Sequence, residues 1–169
     1  MPYRGHSGLF SRQDILHTMQ EVKILRLGAV LGNVTTAVDF VVEAARARGF
    51  GEQALYQIRL AVDEACANVV EHAYRGADRG EMEISCWLQD RDFVIRIRDW
   101  GKGFDPDSVP QPDLSVPLEE RSLGGLGLYL IRHMVDKMQY RPDPVLGNEM
   151  VMTKRLEREA SGHQAGGRP

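Results

Sequence analysis

Glu64 and Asn68 stand four residues apart in the run LAVDEACANVVEHAY, residues 60–74. Apolar Ile58, Val62, Ala65 and Val69 recur there at helical spacing. Four residues on a helix is one turn, so the carboxylate and the carboxamide stack on one face. That face lies a quarter to a third of a turn from the apolar stripe, at the margin of the buried side, where a pocket can open. A carboxamide oxygen there suits Mg²⁺, which takes one or two protein oxygens and fills its shell with phosphates and water. A carboxylate beside it can orient or deprotonate an attacking hydroxyl. Taken alone, Glu and Asn on a helix are most often solvated.

A second group is Asp99-Trp-Gly-Lys-Gly-Phe104. Phe93, Ile95 and Ile97 alternate with Val94, Arg96 and Arg98, the period of a strand. Asp99 continues the apolar side of that alternation, so a carboxylate points to the buried face. Burial without a partner is costly, and a purine amino group is one partner that fits. Gly101 and Gly103 let the chain turn and let a ligand approach the backbone. A third group, Gly124-Gly125-Leu126-Gly127-Leu128, opens a helix, whose free N–H groups and dipole favour phosphate. Singly, an Asp-Gly turn or a glycine-rich helix start is common.

Three helices and four strands must position these groups. Residues 22–30 read as a strand. A helix follows Asn33 and ends at Gly49, and a second runs from near Glu52 to about Tyr74. Residues 82–88 and 93–99 form strands joined by a short hairpin. Residues 104–123 contain Pro106, Pro110, Pro112 and Pro117 and no period, which suits a functional lid or a disordered loop. The third helix carries Leu130, Ile131, Met134, Val135 and Met138, and residues 150–156 form a last strand. Helices preceding and interrupting a block of mainly antiparallel strands predict an α+β, two-layer sandwich with a mixed, mainly antiparallel sheet covered on one face. Residues 1–20 read as an extension, 21–156 as the domain and 157–169 as a polar tail. Arg121, in the 104–123 segment, reads equally as a residue that reaches a terminal phosphate or as an exposed arginine with no ligand. His72 and Tyr74, at a helix end, read as packing or capping residues.

Composition narrows the class. The 169 residues carry a net charge of −3, with 43% hydrophobic and 27% charged residues, as in one globular domain without a nucleic-acid surface. No long apolar run spans a membrane, and the N-terminus lacks a signal-peptide core, so a cytoplasmic protein is expected. Cys66 and Cys86 form no metal-ligand or redox pair and read as small core residues.

In order and spacing, the three groups resemble the Bergerat-fold ATPases, the superfamily of gyrase, heat-shock chaperones, histidine kinases and mismatch-repair proteins. The resemblance covers roughly residues 20–156. It implies ATP and Mg²⁺, with Asn68 on the metal, Asp99 on the adenine amino group, and Gly101, Gly103, Gly125, Leu126, Gly127 and Leu128 around the nucleotide. The strings DEACANVVEHAY, DWGKGFDP, GGLGLYLIRHMVDKMQY and GNEMVMTKRL look like the anti-sigma-factor serine/threonine kinases of bacterial partner switching. That narrower resemblance implies a small homodimer that binds a sigma factor in one state. In another it phosphorylates an anti-sigma-factor antagonist, with Glu64 as catalytic base. A nucleotide-gated binding module without kinase activity is the alternative. A histidine kinase is disfavoured by the roughly 20 residues before the first strand and by Glu71, where a basic residue is common. A gyrase- or chaperone-like motor would need a further transducer domain.

Overall fold

The computed structural model describes residues 21–75, 80–109 and 125–157. Strand β1 is Lys23–Gly28, and a short 3-10 turn, Leu31–Asn33, leads into helix α1, Val34–Arg46. Helix α2 is Glu52–Asn68 and widens without a break into a π-turn, Val69–Ala73. Strands β2, Glu81–Gln89, and β3, Asp92–Asp99, form the expected hairpin. It turns at Asp90, whose φ of +55° lies in the left-handed region that Asp tolerates. Helix α3, Leu126–Met134, is followed by β4, Lys137–Arg141, and β5, Asn148–Arg155.

The strand order is β1-β2-β3-β5-β4, and all four pairings are antiparallel. One face of the sheet meets the helices. Met82, Ile84 and Cys86 of β2 and Phe93, Ile95 and Ile97 of β3 are buried there against Val38, Val41, Ile58, Val62 and Cys66. Period-2 burial on the strands and period-3.6 burial on the helices thus meet in one core. Both cysteines are core residues, and burial pushes their thiols up, to about 12 for Cys66 and about 11 for Cys86, so both stay protonated and unreactive. The opposite face carries a row of alternating charge across the register: Arg26, Glu83, Arg98, Glu149, Arg141. Glu83 is buried there and held by Arg26 at 2.7 Å and Arg96 at 3.7 Å.

Two elements depart from the sequence reading. The third helix does not carry Val135 and Met138: it stops at Met134, Val135 is extended, and residues 137–141 form an unexpected edge strand. Helical spacing places Met138 after Ile131 and Met134, but Met138 and Tyr140 also fit strand alternation. Pairing with β5 decides between the two. The second helix reaches the expected end, but its last turn is π rather than α. No described helix is long and apolar enough to cross a membrane. Most of the expected lid, together with Arg121 and Gly124, lies outside the described residues.

Candidate functional site

Two clusters lie along α2. At its middle, Glu64 and Asn68 face the first turn of α3. A β-carbon on Gly127 would lie 2.7 Å from Glu64 Oε2 and 3.6 Å from both terminal atoms of the Asn68 amide. The α3 N-terminus thus lies beside the ends of the Glu64 and Asn68 side chains, and a larger residue at 127 would displace the Glu64 carboxylate. Gly125 caps α3 with a φ of +87°, and the first intrahelical bond runs from the Tyr129 N–H to the Gly125 carbonyl, 3.0 Å. The N–H groups of Leu126, Gly127 and Leu128 therefore have no partner within the helix, and the helix dipole adds to their pull on an anion. The Leu128 side chain is buried in the core, so only its backbone is available to a ligand.

The charged state of Glu64 is disfavoured. Burial raises its pKa above the usual carboxylate value, and the negative charges of Asp63 and Glu71 raise it further. Such a carboxylate is a stronger base than an ordinary Glu. Asn68 Nδ2 is buried and has no hydrogen-bond partner among the described residues. An amide left unsatisfied in this position suits a ligand, and a 180° flip of its end presents the oxygen instead. No group of three His, Cys, Asp or Glu residues comes together among the described residues. A cation at Asn68 would thus draw most of its shell from phosphate and water, as Mg²⁺ does.

The second cluster lies at the end of β3. Asp99 is 5% exposed, and its Oδ1 accepts from the Gly101 N–H and from Asn148 Nδ2, both at 2.9 Å. Oδ2 remains for a ligand. Burial raises the Asp99 pKa, and these two hydrogen bonds oppose the rise. Asn148 also donates to the Gly101 carbonyl at 3.0 Å and accepts from the Asp143 N–H at 3.3 Å. Its Oδ1 occupies the space a Gly103 β-carbon would need, 2.7 Å away. Gly103 is therefore fitted against the buried Asn148 amide, and Gly101 against the Ala73 backbone.

Asn148 is the functional residue that sequence reasoning missed. It follows Gly147 and reads as a turn residue. Its partner is 49 positions away, joined only by the β3–β5 register that sets Asn148 opposite Asp99.

Between the clusters is a cavity of about 20 Å³, floored by Asp99, Ile97 and Met150 and walled by Asn68, His72, Phe104 and Tyr140. That volume is water-sized, so a purine enters only when a wall moves. Phe104 stacks on Tyr140 with centroids 4.2 Å apart, and it opens the segment read as a lid. Of the residues singled out in the sequence, Asn68 and Asp99 line this cavity, and Glu64 joins through α2. Gly125 and Gly127 reach the Asn68 end, Gly101 and Gly103 the Asp99 end. His72 lines the cavity and is exposed rather than packed inward, whereas Tyr74 packs on the core as expected and its hydroxyl is tied to the Asp99 turn.

The family described as "Histidine kinase-like ATPase domain" matches residues 27–154. "Serine-protein kinase RsbW" of Bacillus thuringiensis is 36% identical over 115 residues, covering 66% of this chain and 70% of that protein. The protein of the same name from Halalkalibacterium halodurans is 35% identical over 123 residues, covering 70% and 74%. A crystal structure of the RsbU and RsbW domains of a Mycobacterium tuberculosis protein superposes with a TM-score of 0.61 at 19% identity. It covers 83% of this chain and 34% of that one, a likeness of fold. By the span of the family match and the identity to these relatives, the chain belongs to the histidine kinase-like ATPase domain family, among the serine-protein kinases of the RsbW type.

Proposed function

We propose that this kinase binds ATP with Mg²⁺ between α2, β3 and α3 and transfers the γ-phosphoryl group to a serine or threonine of an anti-sigma-factor antagonist. In its other state it holds a sigma factor, working as a homodimer. The observation that supports this reading is the closeness of Gly127 to Glu64 and Asn68, which brings a carboxylate, a carboxamide and a helix N-terminus together.

Each residue then has a task. Asp99 Oδ2 accepts from the adenine amino group. The α3 N–H groups of residues 126–128 hold phosphate oxygens. Asn68 would hold Mg²⁺ through its side-chain oxygen, and the ion would supply charge neutralisation at the phosphates. Glu64 orients the incoming hydroxyl and takes its proton, so the oxygen attacks in line. Displacement of Phe104 opens the pocket, and its return excludes water.

Asp99→Asn tests the adenine end. The Gly101 N–H and Asn148 Nδ2 both donate, so they hold the new amide by its oxygen. Its NH₂ then faces the pocket, donor against donor. ATP binding should weaken by about 1–3 kcal/mol in calorimetry while the melting temperature barely moves. Wild-type affinity in the variant would make Asp99 a turn residue and nothing more.

A further inference from the structure

The π-turn that ends α2 lies against the turn that presents Asp99. A π-turn inserts one residue relative to an α-helix, which rotates everything after it by about 100°. Here the rotation delivers two groups to the Asp99 turn. The Ala73 carbonyl accepts from the Lys102 N–H at 2.7 Å. The Tyr74 hydroxyl accepts from the Trp100 N–H at 2.9 Å and donates to the Glu81 carbonyl at 2.7 Å.

The second contact falls at a particular place in the sheet. Strands β2 and β3 pair up to Met82 opposite Asp99, so the next rung would join Glu81 to Trp100 directly. The Tyr74 hydroxyl stands in that rung instead, bonded to both sides. The last ladder bond is replaced by a bridge through a side chain, and β3 leaves β2 at the residue after Asp99. The ring reaches this position because residue 80 is glycine: a β-carbon there would lie 2.4 Å from the Tyr74 ring. With the Gly101 N–H on Asp99 Oδ1, three successive N–H groups, of Trp100, Gly101 and Lys102, are each fixed, two of them by the end of α2.

We propose that Tyr74 is a positioning residue for base recognition: its hydroxyl, set into the Glu81–Trp100 rung, fixes the turn that aims the free oxygen of Asp99. The proposal rests on the reading of Asp99 as the acceptor of the adenine amino group. It touches no nucleotide itself. It also ties the adenine end of the site to α2, the helix that bears Glu64 and Asn68.

Tyr74→Phe keeps the ring on Gly80 and removes only the hydroxyl. Binding is measured by calorimetry for two nucleotides, ATP and purine riboside triphosphate, which lacks the 6-amino group. The variant should bind ATP roughly 3- to 10-fold more weakly, the scale of one hydrogen bond. Its affinity for the amino-free nucleotide should stay within about twofold of wild type, so discrimination between the two shrinks. A purely structural tyrosine would weaken both alike, and that result, or unchanged ATP affinity, overturns the proposal. Asp99→Asn is measured beside it. If Asp99→Asn loses discrimination and Tyr74→Phe keeps it, the tyrosine proposal fails alone. If Asp99→Asn discriminates like wild type, the adenine reading fails and takes the proposal with it. Hydrogen exchange of the Trp100 amide in the wild-type protein needs no variant. Slow exchange is expected, and exchange at the rate of an unstructured chain overturns the proposal.

Discussion

Glu64→Gln is expected to keep ATP and to lose phosphotransfer by roughly 10²-fold or more, the scale of losing a general base. Gln matches Glu in shape, so Gly127 still packs against it and the α2–α3 approach survives. What disappears is the charge that takes the proton of the attacking hydroxyl. The pH profile carries a second signature. Burial, with Asp63 and Glu71 adding to it, raises the Glu64 pKa, so on acidification the base is protonated at a higher pH than an ordinary Glu. The acid limb of the wild-type rate should lie above the usual carboxylate range, and Glu64→Gln should lack that limb. Single-turnover phosphorylation across pH, with calorimetry on the same samples, measures both. A variant that phosphorylates at the wild-type rate would show that Glu64 is not the base.

Gly101→Ala should weaken ATP binding by roughly 5- to 150-fold, from a change of one methyl group. The added carbon would lie 2.3 Å from the Ala73 carbonyl oxygen and 2.6 Å from its carbon. These are backbone atoms of a helix end, not the tip of a flexible side chain, so the turn has to move. Overpacking of this kind costs about 1–3 kcal/mol. Movement relieves that strain, breaks the Lys102–Ala73 bond and turns Asp99 away from the base, and the lost contact weakens binding by about 1–3 kcal/mol. Gly32→Ala is the control, since a β-carbon there meets nothing within 4 Å. Calorimetry should find the control like wild type and Gly101→Ala far weaker. Equal affinities would mean that the helix end does not set the turn.

The sequence made the parts of this site visible where one local rule governs them. Glu64 and Asn68 share a face because four residues make a turn. Asp99 is buried because it continues the alternation of Phe93, Ile95 and Ile97. Both follow from the period of one element. The features that were not legible arise between elements. Asn148 reaches Asp99 only through the pairing of β3 with β5, and nothing near Asn148 in the chain signals it. Strand β4 was hidden because Met138 satisfies two periods at once, and the edge of β5 settles which is used. Tyr74 packs at the helix end as expected, but no local pattern announces a π-turn, and its hydroxyl finds one partner in β2 and one in the turn after β3.

Phosphotransfer itself gives the most direct test. Wild-type protein is incubated with Mg²⁺, γ-labelled ATP and an antagonist domain that it binds tightly. The account predicts label on one serine or threonine of the antagonist, dependent on Mg²⁺ and reduced roughly 10²-fold or more with Glu64→Gln. Tight binding of the antagonist with no label from the wild-type protein would contradict it, and the chain would then be a nucleotide-gated binding module rather than a kinase.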